Sequence, residues 1–209
     1  ANAAIWAEAR FGAARGAHDV IGVTIGTGVG GAVIIGDHLQ RGANGFGGEF
    51  GHLRVEPDGH PCPCGQRGCL EQYASGSALT RFARELVAER GSQAGMLYAL
   101  AEGDPDRVTG PMVTEAARAG DEQAKGVFTQ LATWLGRGLS TLSSALDPGV
   151  IVVGGGLVDA SDLFLDTVRE VYAATLTAAD YRNVAKILPA ELGQDAGFLG
   201  AADLAATGG

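Results

Sequence analysis

Between Gly42 and Glu71 the chain carries all three of its cysteines, with a histidine ahead of them and a glutamate on either side, in the order Glu49, His52, Cys62, Cys64, Cys69, Glu71. The spacing H-x9-C-x-C-x4-C brings together imidazole nitrogen and thiolate sulfur, the donors that zinc prefers, close enough in the chain to close one tetrahedron. His52, Cys62, Cys64 and Cys69 are therefore expected to hold a structural Zn²⁺ without an open position. The alternatives are a disulfide, Cys62 with Cys64 or Cys64 with Cys69, or three inert thiols. Pro61, Pro63, Gly65 and Gly68 make this segment a tight loop rather than a packed element, which weighs against both.

Glu49 lies three residues before His52 and Glu71 two after Cys69, so a metal-clamped loop would fix both acids around one centre. An ionised carboxylate accepts several hydrogen bonds, each about twice as strong as a neutral one, and suits a polyhydroxy ligand such as a sugar. With one ring nitrogen of His52 on the metal, the other is free to meet a substrate hydroxyl. The plainer readings are solvated surface acids, or a loop whose metal only stabilises it. His18, His38 and His60 are read as surface residues.

Two glycine turns could serve an anionic partner. Ile25-Gly-Thr-Gly-Val-Gly-Gly31 lies between two β-branched stretches, Val20 to Thr24 and Gly30 to Ile35, and reads as a hairpin. The amides of Gly26, Thr27 and Gly28 can cradle phosphate there, with Thr27 adding a hydroxyl. An ordinary permissive hairpin is the alternative. No Gly-Lys-Ser/Thr follows, so it is not a P-loop. Further on, Gly154, Gly155 and Gly156 follow the apolar run Val150 to Val153, which reads as a buried parallel strand. The carboxyl end of such a strand is where α/β sheets take ligands, although a plain strand-to-helix turn has the same signature.

The elements that must position these groups follow from the pattern. A first helix is expected from Ala1 to Arg15, ending near Gly16, and a third strand from His38 to Arg41. One helix is expected from Gln72 to Arg90, stopped by Gly91, and a short one around Val113 to Ala119. Asp121 should cap a long helix running to Leu146. An amphipathic helix from Asp162 to Ala174, a last strand from Ala185 to Leu188 and a terminal helix over about 195–206 complete an α/β domain with a mixed sheet.

At 209 residues the chain can bury a real core without staples. Thirty-four glycines without a collagen-like period point to many turns and close backbone approaches. A net charge of −9 argues against a basic face that grips nucleic acid or an anionic membrane, and no stretch has the roughly twenty apolar residues of a membrane helix. The odd cysteine count fits a reducing cytoplasm.

Gly26-Thr-Gly-Val-Gly-Gly31, Gly47-Gly-Glu-Phe-Gly-His52, Cys62-Pro-Cys-Gly-Gln-Arg-Gly-Cys-Leu-Glu71 and Val153-Gly-Gly-Gly156 occur in the order and spacing of the ROK family of bacterial sugar kinases and sugar-responsive repressors. The chain resembles that family throughout, most closely its ATP-dependent glucokinases of actinobacterial type. The resemblance implies an actin-like, RNase H-like ATPase fold with an inserted zinc loop over residues 42–72, and residues 1–209 forming the large C-terminal domain. It implies glucose or a related hexose held by Glu49, His52 and Glu71, and zinc on His52, Cys62, Cys64 and Cys69. ATP would arrive with Mg²⁺, its phosphates at Gly26 to Gly28 and its adenosine side at Gly154 to Gly156. The family motif Asn-Asp-Ala-Asn aligns with Ala1-Asn2, so the catalytic aspartate is expected immediately before Ala1 and none within the chain. The N-terminal domain is likewise expected upstream, and the chain alone is expected to be inactive. A cytoplasmic homo-oligomer is also implied, and a sugar-sensing repressor is the alternative function.

Overall fold

The computed structural model describes residues 1–207. The elements are helix α1 (Asn2–Phe11), strands β1 (Val20–Ile25), β2 (Val29–Ile35) and β3 (His38–Leu39), helices α2 (Glu71–Ala74), α3 (Gly76–Arg90), α4 (Met96–Leu100), α5 (Gly110–Arg118) and α6 (Glu122–Leu146), strand β4 (Val150–Gly154), α7 (Leu165–Thr175), β5 (Lys186–Pro189) and α8 (Ala196–Thr207). One five-stranded sheet runs in the order β3-β2-β1-β4-β5. The hairpin strands β1, β2 and β3 pair antiparallel, whereas β4 joins β1, and β5 joins β4, in parallel. It is the mixed α/β sheet, flanked by helices, that the sequence implied.

Alternation along β1 builds both cores. Ile21, Val23 and Ile25 face a large cluster with Leu79, Phe128, Leu131, Leu135 and Phe164, while Val20 faces a smaller one with Ile5, Trp6, Ile34 and Val152. At Gly22 the missing side chain makes room for α1, since a Cβ there would stand 2.2 Å from Ile5 Cγ1. Asp121 caps α6 as expected, accepting from the amides of Gln123 and Ala124 at 2.9 Å each. Gly136 and Gly138 let α6 approach Val171 on α7 and Leu70 ahead of α2.

The structure corrects several boundaries. Helix α1 stops at Phe11 rather than Arg15, because the Glu8 carboxylate folds back past Gly12 to accept the Ala13 amide at 2.9 Å. The helix expected over Gln72 to Arg90 is two helices. Ser75 is extended between them and caps the second, its hydroxyl accepting from the Ala78 amide at 3.1 Å. Strand β3 ends at Leu39, α5 starts at Gly110, and a 3₁₀ segment over Val158–Leu163 delays the helix expected from Asp162 until Leu165. Helix α4 is additional to the elements expected from the sequence. No helix among the described residues is long and apolar enough to cross a membrane.

Candidate functional site

Both glycine turns sit at one end of the sheet, on adjacent parallel strands. Thr24 pairs with Gly154, and the Leu157 amide donates to the Ile25 carbonyl at 3.0 Å. Gly155 has φ +88°, and a Cβ there would lie 2.5 Å from the Ile25 carbonyl oxygen, so the second turn closes on the first only through glycine. The first turn is a three-residue loop, Gly26 to Gly28, closed by the Ile25 and Val29 pair. Helix α3 begins against it, with the Gly76 amide on the Gly26 carbonyl at 2.8 Å and the Ser77 hydroxyl on the Thr27 carbonyl at 2.7 Å. The positive end of a fifteen-residue helix thus stands beside the hairpin loop, a favourable setting for an anion. A cavity of about 660 Å³ opens there between Gly26, Thr27, Ser77, Arg81, Arg84 and Leu157, and a second of about 420 Å³ continues past Gly76 and Gly156 to Thr114 and Glu115.

The cysteine loop occupies the space between β3 and α2. It is pinned by two isolated bridges, Arg54 with Cys69 and Pro61 with Arg67, and by the amides of Val55 and Glu56 on the Gly68 carbonyl. All three cysteines are free. His52 Nδ1 stands 3.7 Å from Cys62 Sγ, Cys64 Sγ stands 3.6 Å from Cys69 Sγ, and the four donor atoms lie within 4.8 Å of one another. A zinc tetrahedron with bonds of about 2.3 Å to sulfur and 2.0–2.1 Å to nitrogen has edges of about 3.5–3.8 Å, so the donor set fits that ion. Burial, with the contact to Glu71, pushes the Cys62 thiol up to about 12, and burial raises Cys69 as well, whereas a backbone hydrogen bond from Gln66 lowers Cys64. A bound dication would reverse the first two, because it stabilises thiolate directly.

The acids flank His52. Glu71 Oε1 lies 3.8 Å from His52 Nδ1 and accepts from Cys62 Sγ at 3.0 Å, while Glu49 Oε2 lies 4.0 Å from Nε2. Thus Nδ1 is the nitrogen turned to the thiols, and Nε2 faces the open side with Glu49. Glu71 is the sheltered acid at 17% side-chain exposure, against 58% for Glu49. Glycine also admits this segment to the sheet: a Cβ on Gly31 would lie 2.2 Å from the Phe50 ring, and one on Gly51 2.2 Å from the Val29 carbonyl oxygen. The cysteine loop and the hairpin loop meet where Glu71 Oε2 comes within 2.8 Å of the place a Cβ on Gly28 would take.

The structure thus brings together Glu49, His52, Glu71 and the three cysteines, and sets Gly26, Thr27 and Gly28 beside them, with Gly154 to Gly156 at the next strand end. His18 and His38 are exposed, as expected, but His60 is not a plain surface residue. Its ring accepts from Arg81 at 2.7 Å and its amide donates to the Tyr73 hydroxyl at 2.9 Å. Burial, then the Arg81 charge, lowers its pKa. Sequence inspection passed over Ser77, Arg81 and Arg84, although their spacing on a helix starting at Gly76 puts them on one face.

The ROK family model matches residues 1–207. The chain belongs to the ROK family. Within that family it is 47% identical over 205 residues to a glucokinase of Streptomyces coelicolor, which covers 98% of this chain and 65% of that protein. A ROK family glucokinase from Streptomyces griseus, solved in complex with glucose and AMPPNP, superposes with a TM-score of 0.91 at 48% identity, over 98% of this chain and 65% of the other. The xylose repressor of Bacillus subtilis is a more distant relative, 30% identical over 200 residues, or 96% of this chain and 47% of the repressor. The chain therefore spans less than two thirds of the length of the relatives it matches.

Proposed function

We propose that this chain is the large C-terminal domain of an ATP-dependent glucokinase, which transfers the γ-phosphate of ATP to the 6-hydroxyl of glucose or a related hexose. The observation that carries this is the contact between the two halves of the site. A sheltered carboxylate suited to sugar hydroxyls, Glu71, touches the loop whose amides suit phosphate, at Gly28. A donor and an acceptor substrate held there lie side by side, as a direct transfer requires.

Glu49, His52 Nε2 and Glu71 are assigned to the sugar hydroxyls. The amides of Thr27 and Gly28 with the α3 terminus take the phosphates, Gly26 shaping the same loop with its own amide on the Gly28 carbonyl at 3.0 Å, and Gly154 to Gly156 the adenosine side. Mg²⁺ arrives with ATP and screens its phosphate charge. His52, Cys62, Cys64 and Cys69 hold zinc as a structural ion that fixes the loop carrying both acids. In the transfer the 6-oxygen forms a bond to the γ-phosphorus, the bond to the ADP oxygen breaks, and the hydroxyl proton goes to a base. That base is assigned to an aspartate immediately before Ala1. Ala1 itself lies at this end of the sheet, its Cβ 3.2 Å from where one on Gly30 would stand. General-base help is worth roughly 10²–10⁴-fold, and lost orientation of the two substrates costs more, so the 209-residue chain alone is expected to be inactive. A cytoplasmic homo-oligomer accompanies this assignment.

A sugar-sensing repressor is the second possibility, favoured by the likeness to the xylose repressor. The higher identity to glucokinases and the Gly28 to Glu71 contact weigh toward the enzyme. Assaying the intact protein with Mg·ATP against a panel of hexoses tests the choice. Glucose 6-phosphate should form, and the separate 209-residue chain should form none. Sugar binding without any phosphorylation would favour the repressor.

A further inference from the structure

Two arginines on α3 line the 660 Å³ cavity, and their partners differ. Arg81 spends its outer nitrogens on the sugar side of the site. Nη1 bonds His60 Nε2 at 2.7 Å and Glu85 Oε1 at 3.0 Å, and Nη2 donates to the carbonyl of Gln72, the residue after Glu71. His60 belongs to the cysteine loop and Gln72 to α2, so one guanidinium fork ties both to the helix whose first turn is bolted to Thr27 through Ser77. Arg84 is held only by Nε, which donates to the Val108 carbonyl at 3.1 Å. Among the described residues no carboxylate pairs with it and its two outer nitrogens have no partner.

We infer, on the kinase reading above, that Arg81 is a positioning residue for the sugar-binding acid Glu71, and that Arg84 is the residue of this pair that meets the nucleotide. Arg81 reaches the sugar only through α2 and the cysteine loop. Its planar fork holds its donors on a ring nitrogen and a carbonyl in one fixed geometry, which the compact ammonium on the flexible lysine stem does not reproduce. Arg84 lies seven residues beyond Ser77 on the same face, about 10 Å along the helix at 1.5 Å per residue. A nucleotide whose phosphates sit at the hairpin loop, with its adenosine side against Gly156 in the same cavity, would extend along that face and bring its base under the free guanidinium, which stacks on aromatic planes.

The test is calorimetric titration of the intact, zinc-loaded protein, with glucose in the absence of nucleotide and with AMPPNP in the absence of sugar. In R81K the glucose Kd should rise about tenfold, as expected for a misplaced charge-assisted contact, with AMPPNP affinity within about twofold of wild type and zinc still at one per chain. In R84A the pattern should invert, with AMPPNP weakened about five- to tenfold and glucose untouched, the size expected for one stacking contact. Weakened AMPPNP with unchanged glucose in R81K overturns the assignment, as does an R84A protein that binds AMPPNP normally. Zinc loss in R81K would make Arg81 a general brace of the loop and also counts against it. A wild-type protein that binds neither ligand would instead sink the kinase reading itself.

Discussion

Gly28 and Glu71 are in contact across the site, with Glu71 Oε2 only 2.8 Å from where a Cβ on Gly28 would stand. The glycine belongs to the hairpin between β1 and β2, and the glutamate opens a helix reached only after the whole cysteine loop. Their contact makes one site of two loops that lie more than forty residues apart in the chain.

Substituting Gly28→Ala should therefore act on the sugar rather than on the fold. The new methyl group meets the far end of a side chain, which swings aside, and Gly28 does not need a left-handed backbone. We expect the glucose Kd of the intact protein to rise roughly tenfold through misplacement of Glu71, with Tm within about 2 °C of wild type. An unchanged glucose titration would dissociate Glu71 from the sugar.

Gly155→Ala should behave differently. At φ +88°, with the Ile25 backbone 2.5 Å from the new Cβ, neither strain nor clash can be relieved by a side chain. A cost of about 1–3 kcal/mol lowers Tm by roughly 2–12 °C for a domain of this size. Because Ile25 leads directly into Gly26, AMPPNP affinity should fall as well. Thermal melting and AMPPNP titration check the two parts separately, and a fully stable variant with normal nucleotide affinity would refute both.

Gly68→Ala attacks the cysteine loop. A Cβ at Gly68 would lie 1.5 Å from the Glu56 carbonyl oxygen, at φ +74°, so Cys69 cannot keep its place. Metal analysis of purified protein should find about one zinc per wild-type chain and well under half of that in the variant, since removing one of four ligands typically abolishes a structural site. Stripping zinc from the wild type with a chelator should weaken glucose binding while the sheet and its helices persist. A wild-type zinc content near zero would overturn the role given to the thiols.

Much of this site could be read from the sequence because it is local. Glycine turns, the histidine and cysteine spacing and the acids beside them lie within short stretches, and ligand spacing is a property of the chain itself. The sheet was legible for the same reason: β-branched runs and the apolar stretch Val150 to Val153 state their own period. Helix boundaries were less so. Ser75 is a poor interior residue and a good cap, but only the packed chain shows that it breaks one helix into two. The Glu8 carboxylate, which ends α1 by turning back to the Ala13 amide, is held by the amides of Glu191 and Leu192 at 3.0 and 2.8 Å, partners more than 180 residues away. Arg81 was missed for a similar reason. On an amphipathic helix it reads as one more solvated charge, and only its contacts to His60 and Gln72 set it apart from Arg84.

The most direct test of a sugar site built on a metal loop is Glu71→Gln in the intact protein, read by glucose titration and zinc analysis together. The substitution keeps the shape and removes the charge, so a hydrogen bond worth about 1.5–3 kcal/mol to a charged group is weakened and glucose affinity should fall roughly tenfold or more. Zinc should stay at one per chain, because Glu71 is not among the four donors. Unchanged glucose affinity with full zinc would contradict the account, and would leave the cysteine loop a metal-stabilised element with no part in holding the sugar.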